Sequence, residues 1–242
     1  MADEHRKALH EERLRLIKAW ENHSGTAFIN ELERLDASYF IFCRNYEEFA
    51  SKLREYESDY TLVGDSERER FRFAMRETYR FLHNYLASIY SLKEHTVRFI
   101  DEECPGLKTE YVSEVITLES NGCVSFAKQF RNFLQHRMLP IASMTLHLER
   151  IEIGKPDMKS DVSVWISAKE LLEWDKWNMS SKGYLQSLGD KIKLSTLFDQ
   201  GHRLRMEFYI KVRAKSFEAH REEITESQKI MEQILQIETK MG

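Results

Sequence analysis

The chain has 242 residues, enough for one large domain or two small ones and for a substantial buried core. Hydrophobic residues make up 42% and charged residues 31%, with 9 glycines and only 3 prolines, the composition of a soluble, mainly helical protein. A formal net charge of −4 excludes a protein held on nucleic acid by bulk charge, so any RNA contact must be local.

Asp3 to Trp20 reads as a first helix, with Leu9, Leu16, Ile17 and Trp20 forming a narrow apolar stripe. After a break at Asn22 to Gly25, a second helix is expected from Thr26 to Tyr56. Its Phe28, Leu32, Leu35, Tyr39, Phe42, Tyr46, Phe49, Leu53 and Tyr56 step by three or four residues. Ser66 with Glu69 fits a capping box at the start of a long helix reaching about Cys104, where Pro105-Gly106 stops it. These two long helices most simply form an antiparallel pair. A short helix from Tyr111 to Leu118 and a turn at Asn121-Gly122 follow. A helix then runs from Cys123 to Arg137 and stops before Pro140.

Beyond Pro140 the period changes. Met144, Leu146, Leu148, Ile151 and Ile153, then Val162, Val164 and Ile166, alternate around the turn residues Gly154-Lys155-Pro156-Asp157. They predict a β-hairpin of 143–153 and 161–167. A lone hairpin is marginal in water and must pack on the helices or on a partner. Ser167 caps a short helix from Ala168 to Trp174, residues 178–193 read as loop, and one long final helix is expected from Ser195 towards Ile237. With no internal repeat and no linker-like tract, the expected architecture is a single mainly α domain, 1–242, with the hairpin inserted at about 143–167.

Chemistry concentrates in one place, Phe130-Arg131-Asn132-Phe133-Leu134-Gln135-His136. On a helical wheel at about 100° per residue, Phe126, Phe130, Phe133 and Leu134 share the core side. Lys128, Arg131, Asn132, Gln135 and His136 occupy the opposite half. Arg131 and His136 stand about 140° apart and flank that outer face, with Asn132 between them and one turn from His136. Arginine offers a fixed cationic fork for phosphate oxygens, and histidine exchanges a proton near neutral pH. Asparagine beside them can orient either group. On spacing alone, such a pair is more often a solvated arginine and a histidine favoured by the helix C-terminus.

The phrase from Phe126 to Pro140 resembles the motif helix of bacterial HEPN proteins, whose mark is Arg, four to six residues, then His, with a polar residue after the Arg. Arg131, Asn132 and His136 fit that pattern. Gly201-His202-Arg203-Leu204-Arg205 with Phe208-Tyr209 is similar to the final helix of such proteins. The resemblance covers about residues 26–235 and implies a HEPN-like antiparallel helical bundle, from whose minimal core the hairpin departs. It further implies a metal-independent endoribonuclease without cofactors, a toxin or anti-phage effector working as a homodimer whose two motif helices share one cleft. Arg131 would hold the scissile phosphate, His136 would act as general base or acid, and Asn132 would orient them. RNA is the expected substrate, and an antitoxin or regulatory protein a further partner. The competing function is a non-catalytic HEPN-like module that binds nucleotides or proteins.

Lys128, Arg203 and Arg205 are candidate contacts to an RNA backbone. With His202, Lys211, Arg213 and Lys215, the last two arginines alternatively form a solvated helix face, which the interleaved Glu207, Glu218, Glu222 and Glu223 favour. His83-Asn84 and His95 read as helix-surface or core-edge residues, and Trp165, Trp174 and Trp177 as packing or interface residues. Cys43, Cys104 and Cys123, in no ligand spacing, read as buried reduced thiols. No zinc spacing, glycine-rich phosphate loop or distinctive carboxylate pair is present. No apolar run approaches the roughly 20 residues of a membrane span. Met1 to Arg15 is charged, unlike a secretory signal, which makes the cytoplasm the expected compartment.

Overall fold

A computed structural model of the chain describes residues 2–63, 67–137, 139–150 and 158–241. The capping residue Ser66, the hairpin turn at 154–157, and Ile151 and Ile153 lie outside them. The described residues form α1 (Ala2–Glu21), α2 (Ser24–Ser58), α3 (Arg68–Glu103), α4 (Lys108–Ser120), α5 (Gly122–His136), β1 (Ser143–Arg150), β2 (Met158–Ser167), α6 (Ala168–Leu172), α7 (Met179–Ser187), β3 (Lys191–Lys193), α8 (Asp199–Ala219) and α9 (Arg221–Met241). Among the described residues the protein is mainly helical, with one small antiparallel sheet in the order β1-β2-β3.

The chain divides into two compact units, the first comprising Met1–Ala37, His95–Tyr111 and Ile210–Gly242, the second Ser38–Glu94 and Val112–Tyr209. In the first unit α1 packs along α9, and Phe28, Leu32, Leu35, Phe99, Ile100, Val212, Ile224, Ile234 and Ile237 form the core. Gly25 is required here, because a Cβ on it would lie 2.2 Å from the Glu223 carbonyl oxygen.

The single final helix expected from Ser195 is in fact two, α8 and α9, joined by a turn at His220. Neither glycine nor proline causes the break. The His220 ring stacks on Phe28 at 4.0 Å between centroids, and its nitrogens lie 2.9 Å from the Glu103 carbonyl and 2.8 Å from the Glu223 carboxylate. These contacts fix the histidine at the turn.

In the second unit, Phe42, Phe49, Leu53, Leu82, Tyr85 and Leu86 are buried along α2 and α3. The strand alternation appears in β2, whose Val162, Val164 and Ile166 are all buried while Ser163, Trp165 and Ser167 are half-buried. β1 pairs with it from Ser143 opposite Trp165 to Arg150 opposite Met158. Residues 178–193, expected as loop, carry α7 and β3. Asn178 caps α7 by accepting from the Ser181 amide at 2.8 Å, and β3 adds three residues to the free edge of β2, burying Ile192. The three cysteines are free, Cys104 and Cys123 buried as expected and Cys43 half-buried.

Candidate functional site

The motif helix α5 is held from its inner side. Asn121 caps it, its side chain accepting from the Cys123 amide at 3.2 Å. Phe126, Phe130 and Phe133 are buried, whereas Leu134, expected with them, is half-buried. Phe133 meets Trp174 at 5.6 Å and Trp177 at 5.7 Å, and Phe126 and Phe130 meet Phe198 at 5.9 Å and 5.8 Å. These ring contacts fix the rotation of α5 about its axis and therefore which residues it presents outward. Trp174 and Trp177 are thus packing residues, the Trp177 indole donating to the Leu171 carbonyl at 2.7 Å.

On the outer side, Arg131 and Asn132 are half-buried and His136 is exposed in the last turn. The Arg131 guanidinium lies over the Tyr90 ring of α3, 4.8 Å from its centroid, an electrostatic attraction of cation to ring face. One turn earlier, Lys128 pairs with Glu119 of α4 at 3.3 Å, and Glu119 also accepts from Lys93 of α3 at 2.7 Å. Partial burial works to raise the Glu119 carboxyl. The Lys93 hydrogen bond and the charges of both lysines outweigh it and leave the group below its ordinary value. Tyr90, Lys93 and Glu119 are therefore neighbours of the motif that its own stretch of sequence does not announce.

The basic run on α8 does not form one surface. Arg203 is exposed. Arg205, expected beside it on an RNA backbone, is buried, and its guanidinium donates to the Gly201 carbonyl at 3.1 Å and the Val124 carbonyl at 2.5 Å. It ties α8 to the first turn of α5, and no face of it is left for a phosphate. Gly201 permits this close approach, since a Cβ there would lie 3.0 Å from the Cys123 carbonyl. His202 is buried as well, stacked on Tyr46 at 3.8 Å and close to Phe42 at 4.6 Å. Burial, with the charge of Arg205 adding to it, pushes its pKa down to about 4. Tyr46 in turn hydrogen-bonds Asp199 at the start of α8. In the first unit, Arg213 pairs with Asp36 at 2.9 Å and Lys215 with Glu110. His83, Asn84 and His95 are exposed.

The outer face of α5 thus presents an arginine oriented by an aromatic ring, an asparagine beside it and an exposed histidine. Such a set can hold an anion and exchange a proton. Among the described residues, no cluster of three or more His, Cys, Asp or Glu side chains could hold a metal ion, and no helix is long and apolar enough to cross a membrane. No protein-family model, curated protein or solved structure matches this chain.

Proposed function

We propose that this protein is a metal-independent endoribonuclease of HEPN type that cleaves RNA through its own 2′-hydroxyl. The observation that carries the reading is the disposition of Arg131 and His136. Both stand on the outer side of a helix whose inner side is locked by Phe126, Phe130 and Phe133; neither is buried in the core, and among the described residues neither is held in a salt bridge.

The chemistry follows from the side chains. Arg131 binds the non-bridging oxygens of the scissile phosphate and offsets the charge that grows on them in the transition state. His136 takes the proton from the 2′-hydroxyl as its oxygen attacks phosphorus. The bond from phosphorus to the 5′-oxygen breaks, and a proton returns to that oxygen, leaving a 2′,3′-cyclic phosphate and a 5′-hydroxyl. Asn132 orients Arg131 and His136. Because those two flank the helix about 140° apart, one helix does not close around a phosphate. A second copy facing the first completes the cleft, with the second His136 protonating the leaving oxygen. The same reading places the protein among cytoplasmic toxins or anti-phage effectors, restrained by an antitoxin or regulatory protein.

The test is incubation of the purified protein with single-stranded RNA in EDTA, followed by analysis of the new 3′ ends. The reading expects 2′,3′-cyclic phosphate ends, and RNA in which every sugar is 2′-O-methylated should resist. Linear 3′-phosphate or 3′-hydroxyl ends formed directly, or intact RNA at high enzyme concentration, would refute it and favour a module that binds without cutting.

A further inference from the structure

Around the motif, side chains from three helices form a charged surface that the motif residues do not explain. Tyr90 and Lys93 are one turn apart on α3, and Lys128 and Arg131 one turn apart on α5, spacings that bring each pair to neighbouring positions on its helix. The two pairs meet. Arg131 lies 4.8 Å from the centre of the Tyr90 ring, and Lys93 and Lys128 converge on the single carboxylate of Glu119 at 2.7 Å and 3.3 Å. Two lysines therefore share one carboxylate, beside an arginine that rests on a neutral ring, a local basic surface in a chain whose formal net charge is −4.

Two lysines drawn to one carboxylate gain little as surface ion pairs, because water and salt screen them. Their placement has a different consequence. They stand one turn along from the arginine that faces the scissile phosphate, where the next phosphates of a bound strand would lie. We propose that Lys93 and Lys128 bind the phosphodiester backbone of a single strand next to the scissile phosphate, and that Glu119 holds both lysines in place while competing with the strand for them. The choice of ligand rests on the ribonuclease reading above.

The test measures binding without cleavage. The probe is a fluorescein-labelled single-stranded RNA with every 2′-hydroxyl methylated, titrated by anisotropy over a range of KCl concentrations. Replacing both lysines, K93Q with K128Q, should weaken binding about tenfold at low salt. It should also flatten the plot of log affinity against log salt by about 1.4, two lost phosphate contacts at roughly 0.7 each. E119Q removes the competing anion and should tighten binding several-fold, a sign opposite to that of a merely structural carboxylate. Unchanged affinity and slope in the double variant, or weaker binding by E119Q, would overturn the proposal. If the protein binds this probe through both lysines yet cleaves no natural RNA, the ribonuclease reading fails and the strand-binding patch stands.

Discussion

The Arg131 guanidinium rests on the face of Tyr90, a residue that remains 47% exposed, so the ring serves the arginine more than it serves the core. A cation over an aromatic face at an exposed site is held by about 0.5–1 kcal/mol. The ring also removes much of the conformational freedom of a long side chain, which otherwise must be lost when a phosphate binds.

Tyr90→Ala should therefore lower kcat/KM for RNA cleavage about two- to fivefold, whereas Tyr90→Phe, which keeps the ring, should stay within about twofold of the parent. Equal activity of the alanine and phenylalanine variants in a steady-state cleavage assay would show that the ring does not position Arg131.

Arg205 and Arg203 sit two residues apart and should behave as different kinds of residue. Arg205→Ala removes both hydrogen bonds to the Gly201 and Val124 carbonyls and leaves a cavity between α8 and α5. Its expected cost is about 2–4 kcal/mol in urea denaturation. Arg203→Ala, at an exposed position, should change stability by less than about 0.5 kcal/mol. Similar losses in the two variants would contradict the clamp.

His202 carries a pH dependence whose sign is determined by its burial. Its pKa falls from 6.5 to about 4 in the folded protein. The unfolded chain therefore binds a proton between those values that the native protein does not. The neutral ring's contribution is fully present above pH 6.5, fades as the pH falls, and is gone below about pH 4. The loss is on the order of 3 kcal/mol. His202→Phe keeps a ring against Tyr46 and Phe42 and should remove this part of the acid sensitivity. Identical melting-temperature profiles for the two proteins between pH 7 and pH 4 would show that His202 does not titrate with unfolding.

Much of this arrangement could be read from local pattern. The aromatic steps from Phe28 to Leu53 and the triplet Phe126, Phe130 and Phe133 announced which faces are buried, because helical periodicity and burial have one cause. The alternation of Val162, Val164 and Ile166 announced a strand for the same reason. What local pattern could not supply came from tertiary contact. The turn at His220 depends on Phe28 and Glu103, both distant in sequence. Arg205 looked like a surface charge, and only the carbonyls of Gly201 and Val124 explain its burial. Three-residue β3 is too short to show a period and exists because β2 has an edge to pair with. At the candidate site the motif itself was legible on α5, but Tyr90, Lys93 and Glu119 reach it from α3 and α4 through packing alone.

The central claim is that Arg131 and His136 act together on a phosphodiester. Its most direct test compares RNA cleavage in EDTA by the parent protein, Arg131→Ala and His136→Ala, each checked for native helicity by circular dichroism. The expected result is cleavage by the parent, with a loss of at least about 100-fold in each variant, because the charge stabiliser and the proton-transfer group each contribute on that scale. Cleavage that persists at parental rates in either variant would contradict the account.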